Sequence, residues 1–222
     1  MPSSKALLIP GFYGSPDDFT PLRTYLLGEF HPIDLPTCLE DLLQYGPDLT
    51  LIGYSMGGRI SLMFYQKYPH LVKQVIAISS NPFRDDSEKR KNWEQQWLDN
   101  FDRWPKTRFL KAWYNQEIFT HLKTSLCFPD VFQNRLKNNP LKMKEAFNRF
   151  RLSSQPNFGP NFNNWPVQFF FGQKDTKYAT IHKILISKGM KSALIKDSSH
   201  APHLETPKNL AGEMNGINFN HK

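Results

Sequence analysis

The chain has 222 residues, 39% of them hydrophobic and 22% charged, with a formal net charge of +8. That length gives one domain room for a substantial core, and the composition excludes a disordered chain. No apolar run reaches the ~18 residues of a membrane span, and Ala6-Leu7-Leu8-Ile9 is too short for a signal-peptide core, so a cytoplasmic protein without membrane association is expected.

Residues 6–9 form an apolar run ended by Pro10-Gly11 and predict a buried strand. Residues 17–27 have helical spacing, with Phe19, Leu22, Tyr25 and Leu26 on one face. A strand over 31–35 and a short helix over 39–45 follow. Residues 49–52 are apolar and end at Gly53, and 58–68 carry Ile60, Met63 and Phe64 at helical spacing. Further strands are predicted over 72–78, 167–171 and 193–195, and a closing helix over 203–214. Strands alternating with helices imply a mostly parallel sheet flanked by helices on both faces.

The stretch 83–163 breaks that alternation. It contains no convincing strand, is punctuated by prolines, and holds Trp93, Trp97, Trp104 and Trp113, four of the five tryptophans. We read residues 1–222 as a single domain, with 83–163 as an inserted helical lid over the C-terminal edge of the sheet. Between Arg84 and Asn163 there are 15 Lys/Arg against 9 Asp/Glu, a surplus of 6, so the rest of the chain is nearly neutral. Such a surplus suits an anionic partner. No phosphate loop or nucleic-acid motif accompanies it, so an anionic small molecule is expected and nucleic acid is not. The distant Cys38 and Cys127 read as free thiols, and neither a metal-ligand cluster nor a cofactor motif is visible.

The segment Gly53-Tyr54-Ser55-Met56-Gly57-Gly58 carries the chemistry. A lone G-x-S-x-G is weak. Here a predicted strand enters it and a helix leaves it, the strand–elbow–helix setting that lifts a serine hydroxyl above the sheet of the α/β-hydrolase fold. A serine needs a base to take its proton, and in this fold the partners follow in the order acid, then histidine. Asp175 lies in the loop after the strand over 167–171. His200 follows the last strand and the polar turn Asp197-Ser198-Ser199. Ser55, Asp175 and His200 are therefore the candidate triad. His203 is the rival base, placed at a helix start, and Asp197 is too near His200 in sequence to be preferred as the acid. The backbone N–H groups of Met56 and of Phe12, in Pro10-Gly11-Phe12, are the candidate oxyanion donors.

From Ala6 to about Pro207 the chain resembles the 2-succinyl-6-hydroxy-2,4-cyclohexadiene-1-carboxylate synthases of menaquinone biosynthesis. The resemblance rests on Gly53-Tyr54-Ser55-Met56-Gly57-Gly58-Arg59, Ser80-Asn81-Pro82, Arg90, Trp97, Ala112-Trp113-Tyr114-Asn115-Gln116-Glu117-Ile118-Phe119, Arg135-Leu136-Lys137-Asn138-Asn139, Gly172-Gln173-Lys174-Asp175 and His200-Ala201-Pro202-His203-Leu204-Glu205. It implies a lyase that eliminates pyruvate from a polycarboxylate, with the triad serine acting as a base. It also implies that Arg59, Arg90 and Arg135 bind substrate carboxylates, and that Tyr54 and Trp113 belong to the pocket. A guanidinium suits that task through bidentate, charge-assisted hydrogen bonds. A solvated surface charge is the plainer reading of each arginine. Ester or thioester hydrolysis through an acyl-enzyme stays open as the rival activity, and a non-catalytic binding protein is a further alternative. Two departures from the resemblance are Pro10 where the family has histidine, and a short stretch between Pro36 and Gly53.

Overall fold

A computed structural model describes residues 5–217. Its centre is a sheet of β1 (Ala6–Ile9), β2 (Phe30–Pro32), β3 (Leu49–Tyr54), β4 (Val72–Ile78), β5 (Val167–Gly172) and β6 (Lys191–Ile195). The strand order is β2-β1-β3-β4-β5-β6 and every neighbouring pair is parallel. β3 is buried at every position, as a central parallel strand covered on both faces must be.

In chain order the α-helices are α1 (Thr20–Arg23), α2 (Met56–Lys67), α3 (Glu88–Arg103), α4 (Lys106–Tyr114), α5 (Thr120–Thr124), α6 (Phe128–Lys137), α7 (Pro140–Arg149), α8 (Thr176–Ser187), α9 (Pro202–Glu205) and α10 (Pro207–Asn215). Helices α3 to α7 lie in the chain between β4 and β5, and no strand is found there among the described residues. Their aromatic side chains form one cluster. Trp97 meets Phe109 and Trp113 edge-on, and Phe12 from the loop after β1 meets Trp113 with ring centres 4.6 Å apart. These helices therefore pack on the loop after β1 as well as on one another.

Several elements differ from the sequence expectation, each for a local reason. The helix expected over 17–27 is only a 3-10 turn, Pro16–Phe19, followed by the single turn α1. Pro21 sits in the first turn of α1, where its missing N–H is tolerated, and the helix ends at Arg23. The strand expected over 31–35 is the three-residue edge strand β2, in which Pro32 is tolerated because an edge strand needs no donor on its open side, and Ile33 N–H still donates to the Leu8 carbonyl at 3.0 Å. The helix over 39–45 is a 3-10 helix, Leu39–Tyr45. α2 begins at Met56, two residues earlier than expected, directly after Ser55. The closing helix is split into α9 and α10 at Thr206, where Pro207 forces an extended residue before it. α8 was not anticipated. Among the described residues no helix is long and apolar enough to cross a membrane, and Cys38 and Cys127 are both free thiols.

The approach of α2 to β1 sets the rest. A Cβ on Gly57 would run into the carbonyl oxygens of Ile9 and Pro10, so only glycine lets the first turn of α2 come this close. Gly57→Ala should lower the thermal midpoint by roughly 6–12 °C, equivalent to about 3 kcal/mol of overpacking. Gly212→Ala, in α10 where a Cβ meets open space, should raise it slightly, by about 1 kcal/mol of helix propensity. Thermal unfolding of the two variants beside the parent checks both signs.

Candidate active site

Ser55 sits between β3 and α2 with φ 50° and ψ −108°, a left-handed conformation rare for a residue with a side chain. The backbone is held there from three sides. Ser55 N–H donates to the Ile78 carbonyl at 2.7 Å, Arg59 N–H donates to the Ser55 carbonyl at 3.2 Å, and Ser80 Oγ donates to the same carbonyl at 2.9 Å. Such local strain persists only where the surroundings over-determine it, and it is common at reactive residues.

Asp175 and His200 meet. His200 Nδ1 lies 2.7 Å from Asp175 Oδ2, and both side chains are almost wholly buried. A carboxylate only accepts, so Nδ1 carries the hydrogen and Nε2 is left as the basic nitrogen. The other oxygen, Asp175 Oδ1, accepts from Tyr178 N–H at 3.2 Å and so caps α8. One carboxylate thus starts a helix and orients an imidazole. The rings of Tyr54, Tyr178 and Phe119 surround His200 at 5.7, 4.7 and 5.8 Å.

The rival residues are placed elsewhere. His203, the second residue of α9, is fully buried, and neither ring nitrogen has a hydrogen-bond partner. Its ring packs at a tilt against Tyr54 and Phe19, with ring centres 4.1 and 5.3 Å away. Burial, then the charges of Arg135 and His200, hold its imidazole well below the ordinary histidine range. Asp197 is exposed and faces Lys174 at 4.0 Å.

Ser55 stands between two cavities. The larger, about 450 Å³, is lined by Ser55, His200, Tyr178, Arg59, Arg90 and Trp113, among others. The smaller, about 20 Å³, is lined by Ser55, Phe12, Tyr54, Tyr114, Arg135 and Asp18, among others. Hollows of about 500 and 540 Å³ exist elsewhere, but they hold neither Ser55 nor His200. Gly11 lets the loop after β1 reach the elbow, because a Cβ there would stand 2.7 Å from the Tyr54 ring. Phe12 and Ser55 consequently line the same small cavity.

The three arginines are not equivalent, and only two share the larger cavity. Arg59, 8% exposed, donates through Nη1 to the Phe150 carbonyl at 2.7 Å and more weakly to Gln155 Oε1 at 3.5 Å. Both acceptors are neutral, and no carboxylate pairs with Arg59 among the described residues. Burial pulls its guanidinium down to about 10, which leaves it charged at neutral pH. Arg90 donates through Nε to Glu94 at 2.8 Å and lies over the Trp93 ring at 4.4 Å. Glu94 is fully buried and also accepts from Leu152 N–H at 2.8 Å and from Ser153 Oγ. Arg135 lines only the smaller cavity of the two. It forms a buried ion pair with Asp18, donates through Nε to the Tyr114 hydroxyl at 2.7 Å, and is held above the ordinary arginine value by those two partners despite its burial. The resemblance had grouped all three as carboxylate binders.

Several supporting residues escaped the sequence reading. Glu205 accepts from Ser199 N–H at 2.5 Å and from Ala201 N–H at 3.1 Å, the two amides flanking His200. The available signal was an acid in the first turn of a proline-started helix, where a carboxylate reaches back to free amides. Lys89 and Lys177 also line the larger cavity. No group of three or more metal-ligating side chains occurs among the described residues.

The sequence profile of the α/β-hydrolase fold family matches residues 10–207. The chain belongs to that family. Among its relatives is a 2-succinyl-6-hydroxy-2,4-cyclohexadiene-1-carboxylate synthase of Enterobacter sp. (strain 638), 26% identical over 72% of this chain and 63% of that protein. The match thus spans less than two thirds of that relative's length. A putative synthase of the same name from Haemophilus influenzae is 28% identical over 77% of this chain and 70% of its own. One from Klebsiella pneumoniae (strain 342) is 24% identical over 90% and 77%. Among solved structures, MenH from S. aureus superposes with a TM-score of 0.82 at 20% identity, covering 97% of this chain and 94% of that one. A thermophilic esterase from Thermogutta terrifontis gives 0.73 at 16% identity, covering 96% and 90%. At these identities the structures establish the fold that this α/β-hydrolase protein shares with them.

The buried imidazole of His203 has a measurable consequence. An unfolded chain takes up a proton there near pH 6.5, whereas the folded chain resists it. The unfolded state then binds more protons, so stability is complete above about pH 6.5 and falls below it by up to about 1.4 kcal/mol per pH unit from this group. His203→Phe keeps the ring contacts and should remove that contribution. Urea unfolding of both proteins at pH 7 and pH 5 should show the variant gaining relative to the parent at the lower pH. A difference independent of pH would contradict a neutral buried imidazole.

Proposed function

We propose that this protein is a carbon–oxygen lyase that eliminates pyruvate from 2-succinyl-5-enolpyruvyl-6-hydroxy-3-cyclohexene-1-carboxylate, giving 2-succinyl-6-hydroxy-2,4-cyclohexadiene-1-carboxylate. The observation that carries this reading is Arg59. It is a buried cation without a carboxylate partner, one helical turn from Ser55, in the cavity that also holds His200 and Arg90. A buried charge is costly unless it is paired. A substrate carboxylate supplies the missing partner, and a neutral ester does not. The relatives named as synthases of this product point the same way.

In the proposed mechanism Ser55 Oγ removes a ring proton and passes its own to His200 Nε2, while Asp175 holds the imidazole and stabilises its positive charge. The electron pair left on the ring enters the diene as the C–O bond to the enolpyruvyl group breaks; the enolate that leaves takes up the proton held on His200 Nε2 and becomes pyruvate, which restores the neutral imidazole. No acyl-enzyme forms. The N–H groups of Phe12 and Met56 face charge that develops on a substrate oxygen. Arg59 and the outer nitrogens of Arg90 bind carboxylates, with Tyr54 and Trp113 forming walls of the pocket. Helices α3 to α7 serve as the lid. Arg90 is held for this task by Glu94, and Lys177 adds positive charge at the mouth of the cavity.

The rival activity, ester or thioester hydrolysis, would use the same three residues through an acyl-enzyme, and the esterase fold likeness is compatible with it. An assay pair separates the two. The purified protein should release pyruvate from the polycarboxylate well above background and turn over p-nitrophenyl esters poorly; the reverse pattern would establish the hydrolase. Ser55→Ala should abolish pyruvate release. Arg59→Ala should lower kcat/KM for the polycarboxylate by about thirtyfold, corresponding to ~2 kcal/mol for a charge-assisted contact. Arg90→Ala should do so to a similar degree. Unchanged kcat/KM in both variants would rule out a polycarboxylate pocket.

A further inference from the structure

The loop after β1 has no side-chain anchor of its own at Pro10, yet it must hold one peptide N–H in a fixed direction. Its geometry is set by a short relay. Gly14 N–H donates to the Gly11 carbonyl at 2.8 Å. In a trans peptide the C=O and the N–H point in opposite directions. Fixing the Gly11 carbonyl therefore fixes the Phe12 N–H, which belongs to the same peptide plane. Between them Tyr13 sits at φ 60°, a left-handed conformation that costs a non-glycine residue roughly 1–2 kcal/mol. Left to itself the loop would relax out of that conformation.

What holds the loop comes from α6, more than 100 residues away in the chain. Asn138, just past the C-terminus of α6, donates through Nδ2 to the Tyr13 carbonyl at 2.7 Å and to the Gly14 carbonyl at 3.2 Å. Asn138 is itself fixed: Lys106 Nζ, from α4, donates to the carbonyls of Leu136 and Asn138 at 2.7 and 2.9 Å, a cation placed at a helix C-terminus. A second tie runs in parallel. Arg135 pairs with Asp18, and Asp18 Oδ2 accepts from Ser15 N–H at 3.3 Å, at the far end of the same loop. Residues 13–15 of the loop are thus held directly by Asn138 and, through Asp18, by Arg135 near the end of α6.

We propose that Asn138 is a positioning residue of the oxyanion site, holding the Tyr13–Gly14 peptides so that the Phe12 N–H faces the charge formed beside Ser55. Arg135 acts on the same loop through Asp18, in place of contacting a substrate carboxylate. Helix α6 therefore takes part in the chemistry without touching the substrate. This inference rests on the reading of Ser55 as the reactive serine and of Phe12 N–H as an oxyanion donor.

The test is the second-order rate of Ser55 phosphonylation by a fluorophosphonate, measured for the parent, Asn138→Ala and Asn138→Asp. The phosphonyl oxygen gains negative charge as the serine attacks, so the rate reports the oxyanion donors whatever the natural substrate is. Both variants should label at least about tenfold more slowly, with Asn138→Asp slower still because it sets an acceptor against two carbonyls. KM for the polycarboxylate should stay within about twofold, while kcat falls. The pH profile should be unchanged, since Asp175 and His200 are untouched. A general loss of structure would instead move the thermal midpoint and KM together; Asn138→Asp, nearly isosteric at a partly exposed position, keeps the experiment readable if the alanine variant is poorly folded. Labelling of both variants within twofold of the parent would overturn the proposal. A parent protein that does not label at Ser55 would overturn the reactive-serine reading, and the proposal with it.

Discussion

The contact between the first turn of α2 and the end of β1 governs the rest of the architecture. It exists because Gly57 presents no Cβ to the carbonyls of Ile9 and Pro10. Once α2 is that close, the chain leaving β3 must reverse within one residue, and Ser55 takes the strained conformation. The strain is offset by three hydrogen bonds to its backbone and by the burial of the helix that follows. The same closeness brings the loop after β1 beside the elbow, so that Phe12 and Ser55 line one cavity. The candidate nucleophile and the candidate oxyanion donors are therefore consequences of a single steric allowance.

Around that centre the polar side chains sort by how fully their charges are compensated. Arg135 is matched inside the protein by Asp18 and Tyr114. Removing one partner of such a buried pair strands the other, so its effect on stability exceeds its effect on any ligand. Arg90 is half matched: Glu94 takes its Nε, and the remaining nitrogens are free to face the cavity. Arg59 has neutral acceptors only. This gradient separates an internally paired cation from two that line the larger cavity, and it is invisible when three arginines are merely counted.

The sequence made the elbow, the parallel sheet and the acid–histidine order legible, because each depends on local pattern. β4 spans the expected 72–78, since its apolar run is bounded on both sides by turn residues. Boundaries shifted near proline: Pro21 lies in the first turn of the short α1, Pro32 in the edge strand β2, and Pro207 starts α10 after a break at Thr206 that hydrophobic spacing alone does not show. α8 was missed although Asp175 caps it: an acid already assigned to a histidine was not also read as a helix start. Glu205, Glu94 and Asn138 act through contacts with backbone or with other side chains, several of them distant in sequence, and those pairings are set by tertiary structure.

An elbow, an acid and a histidine do not by themselves distinguish elimination from hydrolysis, since both begin with the same proton transfer. The distinction lies in what the pocket does to the bound substrate. Arg59 bears the cost of partial desolvation with no carboxylate partner among the described residues. A ligand carboxylate relieves that cost on binding, and the gain grows as the cavity dries, because Coulomb attraction strengthens where the dielectric falls. A neutral acyl group entering the same cavity would displace water from Arg59 and give nothing back. On the proposed reading the pocket is thus biased against neutral esters by desolvation and toward polycarboxylates by charge. In the proposed reaction this bias seats the ring against Ser55 in an orientation fixed by its carboxylates, and so makes the serine a base toward a ring C–H before it can be a nucleophile toward a carbonyl.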